Sequence, residues 1–418
     1  MREKLKLYYR CRFTQLSPLH LSGGKNDRTD NDLMLDSRGL PMIPGSALAG
    51  VLRGRLTREE ANLLFGRDTV GDAMTESAVL VGEAALPADA KVRFTHRDGV
   101  GLDKHKVAVK GAKYDFETAE CTAPYTAVIE WSGWSDDPAL PLLDDLLAGA
   151  TAEGLAFGGR TTRGYGRMTA EVCKKVFRFP TDLDAWLAFD PDAADAFADA
   201  DAVAGRETVP QENVLCAELR MTGSFIVRRY TSDVAVDEDK SGPDYCALEN
   251  GNGRPVLPGT GWAGAFRHHM RAMLDEMGGT AQQKADVNAL FGYSDDGVLK
   301  KRSALAFDET EISGGQAYTL TRNALDRFTA GTASKALYTS CVQQGGQGTL
   351  TIRLRRGVLD VFQRQLLGAA LLDLDRGYLT VGGENSVGRG RATITALTLN
   401  GYPLQKEDLL HALAEVEK

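Results

Sequence analysis

The sequence predicts an α+β protein made of two tandem ferredoxin-like (RRM-like) domains. Three observations carry this: an internal duplication, a repeated order of strand and helix signals, and a glycine-rich block near the end of each copy. Residues 30–53, DNDLMLDSRGLPMIPGSALAGVLR, align without a gap to residues 244–267, DYCALENGNGRPVLPGTGWAGAFR. Asp30 then matches Asp244, Pro44-Gly45 matches Pro258-Gly259, Ser46 matches Thr260 and Arg53 matches Arg267. Leu64-Phe65-Gly66 recurs as Leu290-Phe291-Gly292, and GGRTTRGYGR at 158–167 recurs as GGENSVGRGR at 382–391. The separation from Pro44 to Gly158 is 114 residues and from Pro258 to Gly382 it is 124. Ordered self-similarity of this kind marks a repeat architecture. The domains fall at 1–180 and 213–418, joined by an acidic Ala/Asp-rich linker at 181–212.

Each copy opens on an alternating strand, with Leu5, Leu7, Tyr9, Cys11 and Phe13 in the first and Val214 to Phe225 in the second. A Pro-Gly-Ser/Thr turn then starts a helix, with Ser46 and Thr260 as the expected N-cap side chains. Leu48, Val51, Leu52 and Leu56 give the apolar stripe of that helix, and Trp262, Phe266 and Met270 give its counterpart. Strand-like runs follow at Val79 to Leu86 and Leu305 to Thr310. A second apolar helix is expected over Leu140 to Leu147 and Val361 to Leu372. The glycine-rich loop comes next, then a closing strand at Met168 to Phe177 and Ala392 to Leu397. This β–α–β–β–α–β order is the one ferredoxin-like domains use, and RRM sheets are common platforms for single-stranded RNA.

Charge is unevenly placed. The chain carries 49 Lys+Arg and 57 Asp+Glu, a net charge of −8. Residues 181–212 hold nine acids against the single base Arg206, so the two copies outside this stretch balance to zero. An acidic total therefore does not exclude nucleic acid as a partner. The stretch is expected to be a solvated connector; packing on a basic neighbour is the alternative. The start, MREKLKLYYRCRF, has no continuous apolar segment, so neither a signal peptide nor a membrane helix is expected. Cys11, Cys121, Cys173, Cys216, Cys246 and Cys341 form no CxxC pair. Structural zinc is thus not expected, each cysteine reads as a small buried hydrophobe, and the usage suits a reducing cytoplasm.

Four features point to RNA chemistry. In the first glycine-rich loop, Gly158, Gly159, Gly164 and Gly166 alternate with Arg160, Arg163 and Arg167. Gly382, Gly383, Arg389 and Arg391 stand in the second. Glycines let backbone N–H groups approach a phosphate, and arginines supply forked donors; a tight strand-entry turn is the plainer reading. The Pro-Gly helix starts at Gly45-Ser46 and Gly259-Thr260 offer unpaired N–H groups to phosphate, with Arg53, Arg55, Arg267 and Arg271 on the same helices. Residues 91–113 hold seven Lys/Arg against two Asp, with His96 and His105, which is a backbone-binding footprint. Arg322, Arg327 and Lys335 form its counterpart. Finally, Asp30 and Asp244 lie in loops before the helix starts, where a carboxylate can hold a divalent metal or accept a proton from a ribose 2′-OH. Asp27, Asp32 and Asp36 compete with Asp30.

The Pro-Gly-Ser-x-Leu-x-Gly-x-x-Arg helix start and the later Gly-Gly-x4-Gly-x-Gly-Arg loop resemble the RAMP superfamily of CRISPR-associated proteins. Leu19-His20-Leu21-Ser22-Gly23-Gly24, then Asp30, Asp36 and Pro41 to Arg53, resemble the RNA-cleaving backbone subunit of type III effector complexes. The resemblance covers both copies but not 181–212, as in a tandem fusion of two backbone units. It implies that the loop and helix start hold guide RNA. It also implies inserted β-hairpin thumbs, within 91–125 and 320–345, that wedge between guide and target and flip out a base. Asp30 and Asp244 would promote target RNA cleavage with a divalent ion, Mg2+ or Mn2+, and His20 would contact RNA. Other CRISPR effector subunits would be partners. The second copy departs from the pattern: Phe225-Ile226-Val227-Arg228-Arg229 stands where the first has its His-Leu-Ser-Gly-Gly stretch, and Glu384-Asn385 replaces Arg160-Thr161. Two alternatives remain: a non-catalytic guide-binding scaffold, and a metal-independent guide-processing endoribonuclease using His20 with a Tyr or Lys.

Overall fold

The computed structural model describes residues 2–24, 31–67, 74–103, 108–205, 210–230, 242–295 and 299–417. Asp27 and Asp30 lie outside the described residues, as do Lys104, His105 and Lys106 of the basic segment. The chain forms two compact units. The first comprises Met1–Thr95, Asp115–Thr161 and Tyr165–Pro210, and the second comprises His96–Tyr114, Thr162–Gly164 and Gln211–Lys418.

In the first unit the strand Lys4–Gln15 is central. It pairs antiparallel with Tyr125–Trp134 on one side and Arg167–Phe179 on the other. Val79–Val81 extends the sheet beyond Tyr125–Trp134. Numbered along the chain, these strands stand in the order 4-1-3-2. Helices Gly45–Arg53 and Arg58–Phe65 connect the first two, and Ala139–Glu153 connects the last two. The alternation of the opening strand sets the burial: Leu5, Leu7, Tyr9, Cys11 and Phe13 join Leu48, Leu52, Leu143 and Leu147 in one core. Thr57 starts the second helix with a capping box shared with Glu60.

The second unit repeats the plan. Glu212–Met221 is central between Gln347–Arg355 and Ala392–Leu399, with Leu305–Phe307 beyond Gln347–Arg355. The order is again 4-1-3-2. Gly259–Glu276, Ala281–Leu290 and Val361–Asp375 are its helices, and Trp262, Phe266, Met270, Leu367 and Leu371 fill the core. The long hairpins are also present, one from Val92–Leu102 and Ala108–Cys121, the other from Gln316–Leu325 and Thr332–Gln344.

Three expectations are corrected. Ser46 and Thr260 are not N-caps: the helices begin one residue earlier, at Gly45 and Gly259, after Pro44 and Pro258, with no side-chain cap. The glycines let each helix start press on the neighbouring strand, since a Cβ would overlap the Val81 carbonyl oxygen at Gly45 and the Phe307 carbonyl oxygen at Gly259. Secondly, the acidic stretch is not a solvated connector. Phe197 is buried with Tyr8 and Phe177, and Trp186, Phe189, Ala196 and Ala200 pack beside it. Trp186 Nε1–H donates to Tyr8 Oη at 3.1 Å, and Asp201–Ala202 pairs as an edge strand with Lys174 and Cys173. Trp186, Phe189 and Phe197 face the sheet, while Asp184, Asp190, Asp192, Asp195 and Asp199, with Leu183 and Leu187, are exposed. Burying Phe197 contributes about 1.5–3 kcal/mol, whereas solvent screens the Lys175–Asp199 ion pair at its exposed carboxylate. Packing, not charge, therefore holds the segment down. It covers the sheet face opposite the helices, the face an RRM would offer to RNA. Thirdly, only Cys11 and Cys121 are fully buried; Cys173, Cys216, Cys246 and Cys341 are half-buried.

Candidate nucleic-acid interface

The two glycine-rich loops are wired identically. In the first unit, Gly159 N–H donates to the His20 carbonyl at 2.8 Å, Gly166 N–H to Pro18 at 2.8 Å, and Phe157 N–H to Gly166 at 2.9 Å. In the second, Gly383 N–H donates to Ile226 at 2.7 Å, Gly390 N–H to Ser224 at 2.9 Å, and Val381 N–H to Gly390 at 3.0 Å. Gly158 and Gly382 have φ of +81° and +90°, and a Cβ at either would collide with the carbonyl of His20 or Ile226. The plainer reading of these two glycines thus holds: they close a turn against their own unit.

Each loop then places one non-glycine residue in the left-handed region, Arg160 and Glu384, both at φ 59°. This conformation is uncommon for side-chain-bearing residues and clusters at functional sites. The two side chains differ. The Arg160 guanidinium lies 4.2 Å over the Phe116 ring. Phe116 in turn meets His20 at 5.0 Å and Tyr165 at 5.6 Å, both edge to face. These aromatics form a floor that holds the arginine flat beside exposed Gly158 and Gly159. His20 belongs to that floor. It is 4% exposed, and its Nδ1–H donates to the Glu117 carbonyl at 2.8 Å. Burial pushes its pKa down, the Glu117 bond opposes this, and Arg160 adds to the lowering. The His20 ring supports Phe116 under Arg160, and the His20 carbonyl accepts the Gly159 N–H.

Glu384 is gripped instead. Its Oε1 accepts from Tyr245 Oη at 2.8 Å and lies 3.3 Å from Arg228 Nη2. Its Oε2 pairs with Arg389 Nε at 3.0 Å and with Arg322 Nη2. Arg228 stacks on Tyr245 at 4.6 Å and Arg322 on Tyr338 at 5.1 Å. Burial alone would raise the Glu384 carboxyl, but Arg322, Tyr245 and Arg389 hold it below the usual glutamate range. A cavity of about 410 Å3 opens beside the cluster, lined by Arg228, Tyr245, Arg322, Tyr338, Glu384, Ser386 and Val387.

Other expected residues have different duties. Arg53 donates to the Gly66 carbonyl at 3.1 Å and to Asn62 at 3.0 Å. Arg55 donates to the Gly154 carbonyl at 2.9 Å and pairs with Glu153. Both tie helices and turns of the first unit together. Arg163, within the second unit, donates to the Phe291 carbonyl at 2.9 Å. Arg167 uses its backbone N–H on Ser17 Oγ at 2.9 Å. Ser46, Arg267 and Arg391 are exposed and Thr260 is half-buried. In the basic segment, Arg97 is buried in an ion pair with Glu309 at 3.1 Å, while Lys91, Arg93 and Lys110 are exposed. The second hairpin carries its apolar residues outward: Phe328 at the tip is 100% exposed and Leu325 62%.

Asp244 is exposed, and its Oδ2 accepts the Thr339 N–H at 2.7 Å while its own N–H donates to the Thr339 carbonyl at 2.9 Å. Asp32, a competitor of Asp30, is buried, and Asp36 is bound to Arg38 and to the N–H groups of Arg38 and Leu40. Among the described residues no three His, Cys, Asp or Glu groups come together in the way a metal site needs. The donors around Asp244 therefore do not by themselves fit a divalent ion. Sequence reasoning missed Phe116, Tyr165, Tyr245 and Tyr338; the change from Arg160 to Glu384 between the copies was the one signal for them.

Two repeats of one strand order, each closing on a glycine-rich loop followed by an arginine, define a tandem two-domain protein. A model of the RAMP superfamily matches residues 12–169 and again residues 234–393. The chain belongs to the RAMP superfamily, with one match in each half. No curated protein matches it. Among the described residues no helix is long and apolar enough to cross a membrane.

Proposed function

We propose that this chain is a fused backbone subunit of a type III CRISPR effector complex, holding guide RNA on its loops and hairpins and promoting cleavage of the paired target RNA. The observation that carries this reading is the family match in each half, laid on two loops with the same wiring. The 4-1-3-2 strand order supports reading each domain as ferredoxin-like. In the first unit, Arg160 and the exposed glycine backbone suit an RNA phosphate, and exposed Lys91 and Arg93 add positive charge. Phe328, fully exposed at the tip of the second hairpin, suits insertion between bases.

The cleavage we propose uses the RNA's own nucleophile. Extrusion of a nucleotide brings its 2′-OH into line with the adjacent phosphorus, and a loop carboxylate accepts the hydroxyl proton. The new 2′-O–P bond forms as the P–O5′ bond breaks, and water protonates the departing O5′, leaving a 2′,3′-cyclic phosphate and a 5′-hydroxyl. Asp30 is the candidate for the first unit. Asp244 is the weaker candidate, because one of its oxygens already accepts the Thr339 N–H. A requirement for Mg2+ or Mn2+ would show as loss of cleavage in EDTA. In the assembled complex, Asp30→Ala and Asp244→Ala are each expected to remove one cleavage product while RNA binding survives. Unchanged products in both variants would remove the catalytic part and leave a guide-binding scaffold. The hydrogen-bonded, buried state of His20 argues against a guide-processing endonuclease that uses it as acid or base.

A further inference from the structure

We propose that Glu384 occupies the seat of an RNA phosphate in the second glycine-rich loop, so that the carboxylate and an incoming phosphodiester compete for Arg228, Arg322 and Arg389. The inference rests on the RNA-binding reading and adds a built-in competitor to it.

Position comes first. Glu384 takes the place that Arg160 holds in the first loop, with the same φ of 59° and the same hydrogen bond from the preceding glycine to a main-chain carbonyl, Ile226 in place of His20. The charge at one equivalent point is thereby reversed. Chemistry comes second. A carboxylate and a phosphodiester each present two oxygens sharing one negative charge, and arginine forks bind both. Glu384 receives three guanidinium groups and a phenol, so three positive charges face its single negative one.

Surplus donors come third. Three positive side chains surround one negative one. Among the described residues, Arg389 Nη1 and Arg322 Nε are buried without a hydrogen-bond partner, and the Arg389 side chain is only 5% exposed. A buried N–H without a partner is costly, so the seat favours more acceptor oxygen than Glu384 supplies. The adjoining cavity of about 410 Å3, with Tyr245 and Tyr338 in its wall, leaves room for the nucleotide attached to such a phosphate.

The test measures binding of the full chain to a fluorescent single-stranded oligouridine across a KCl series. Glu384→Gln keeps the size and removes the charge. It is expected to bind at least about five-fold tighter, with the slope of log K against log[salt] steeper by about 0.7 for the phosphate gained. Affinity and slope equal to the unaltered chain, or weaker binding, would overturn the proposal. Thermal melts establish that the variant is folded. If Glu384→Gln does not fold, Tyr245→Phe decides: it keeps the charge but removes a donor that fixes the carboxylate, and a smaller gain in the same direction is expected, with no gain overturning the proposal. Failure of the RNA reading is distinguishable. If the unaltered chain does not bind and Glu384→Gln does, the competitor stands and RNA binding by the unaltered chain falls. If the unaltered chain binds and Glu384→Gln only matches it, the competitor alone falls.

Discussion

The two glycine-rich loops share the backbone bonds of their paired glycines and differ in the residue each displays. In the first, Arg160 is held flat on Phe116 beside exposed glycines. In the second, Glu384 is caged by Arg228, Arg322, Arg389 and Tyr245. Duplication preserved the scaffold because the scaffold is backbone, and a carbonyl of His20 or Ile226 accepts the same N–H whatever the side chain. Electrostatics was free to diverge. The units differ again at the sheet. Residues after Pro180 cover the outer face in the first, whereas the second keeps Glu218, Arg220 and Thr349 exposed on its central strands.

The cover is the easiest difference to break. Phe197→Ala should destabilise the first unit by about 3–5 kcal/mol, read as a shift in a denaturant midpoint, while Asp192→Asn on the outward side should move it by less than about 0.5 kcal/mol. Equal effects would mean that charge, not packing, seats the segment.

The half-buried arginine of the first loop comes next. Arg160→Ala should weaken oligouridine binding several-fold, by roughly 1 kcal/mol, and make the salt slope shallower by about 0.7. Stability should change little, so a large loss of melting temperature would recast Arg160 as structural.

The acid responses of the two loops should also part. The His20 pKa is lowered, so the unfolded chain binds its proton first, and stability falls as pH drops below about 6.5. The Glu384 pKa is also lowered, so its cage contributes above the ordinary 4.5 and is lost as pH falls below it. Melts of His20→Asn should lose the upper of these two acid-sensitive ranges and keep the lower. Retention of both would exclude His20 as the source.

The smallest stability effect belongs to the hairpin tip. Phe328→Ala should leave the melting temperature within error, since the side chain is fully exposed, but should reduce target-dependent cleavage by the assembled complex. Full cleavage would remove Phe328 as a wedge.

Much of the fold was legible because it is written in periodicity. The alternation from Leu5 to Phe13 and the stripe Trp262, Phe266, Met270 gave strand and helix in both copies. The acidic segment was misread because its nine acids dominate the composition, while the few apolar residues that seat it, Trp186, Phe189 and Phe197, are spaced too loosely to form a helix pattern. The site was legible in part. Arg160 stood out in its loop, but Phe116 comes from a hairpin and Tyr165 from the strand entry, and only folding brings them under it. Arg53 and Arg55 looked like phosphate ligands because sequence cannot show that a neighbouring turn already takes their donors.

The central claim is that a pair of unequal loops holds guide RNA. Sequencing the RNA that co-purifies with the full chain from its native assembly tests it most directly. Repeat-derived guide RNA is the predicted result, reduced in Arg160→Ala; random RNA, or none, would contradict the account.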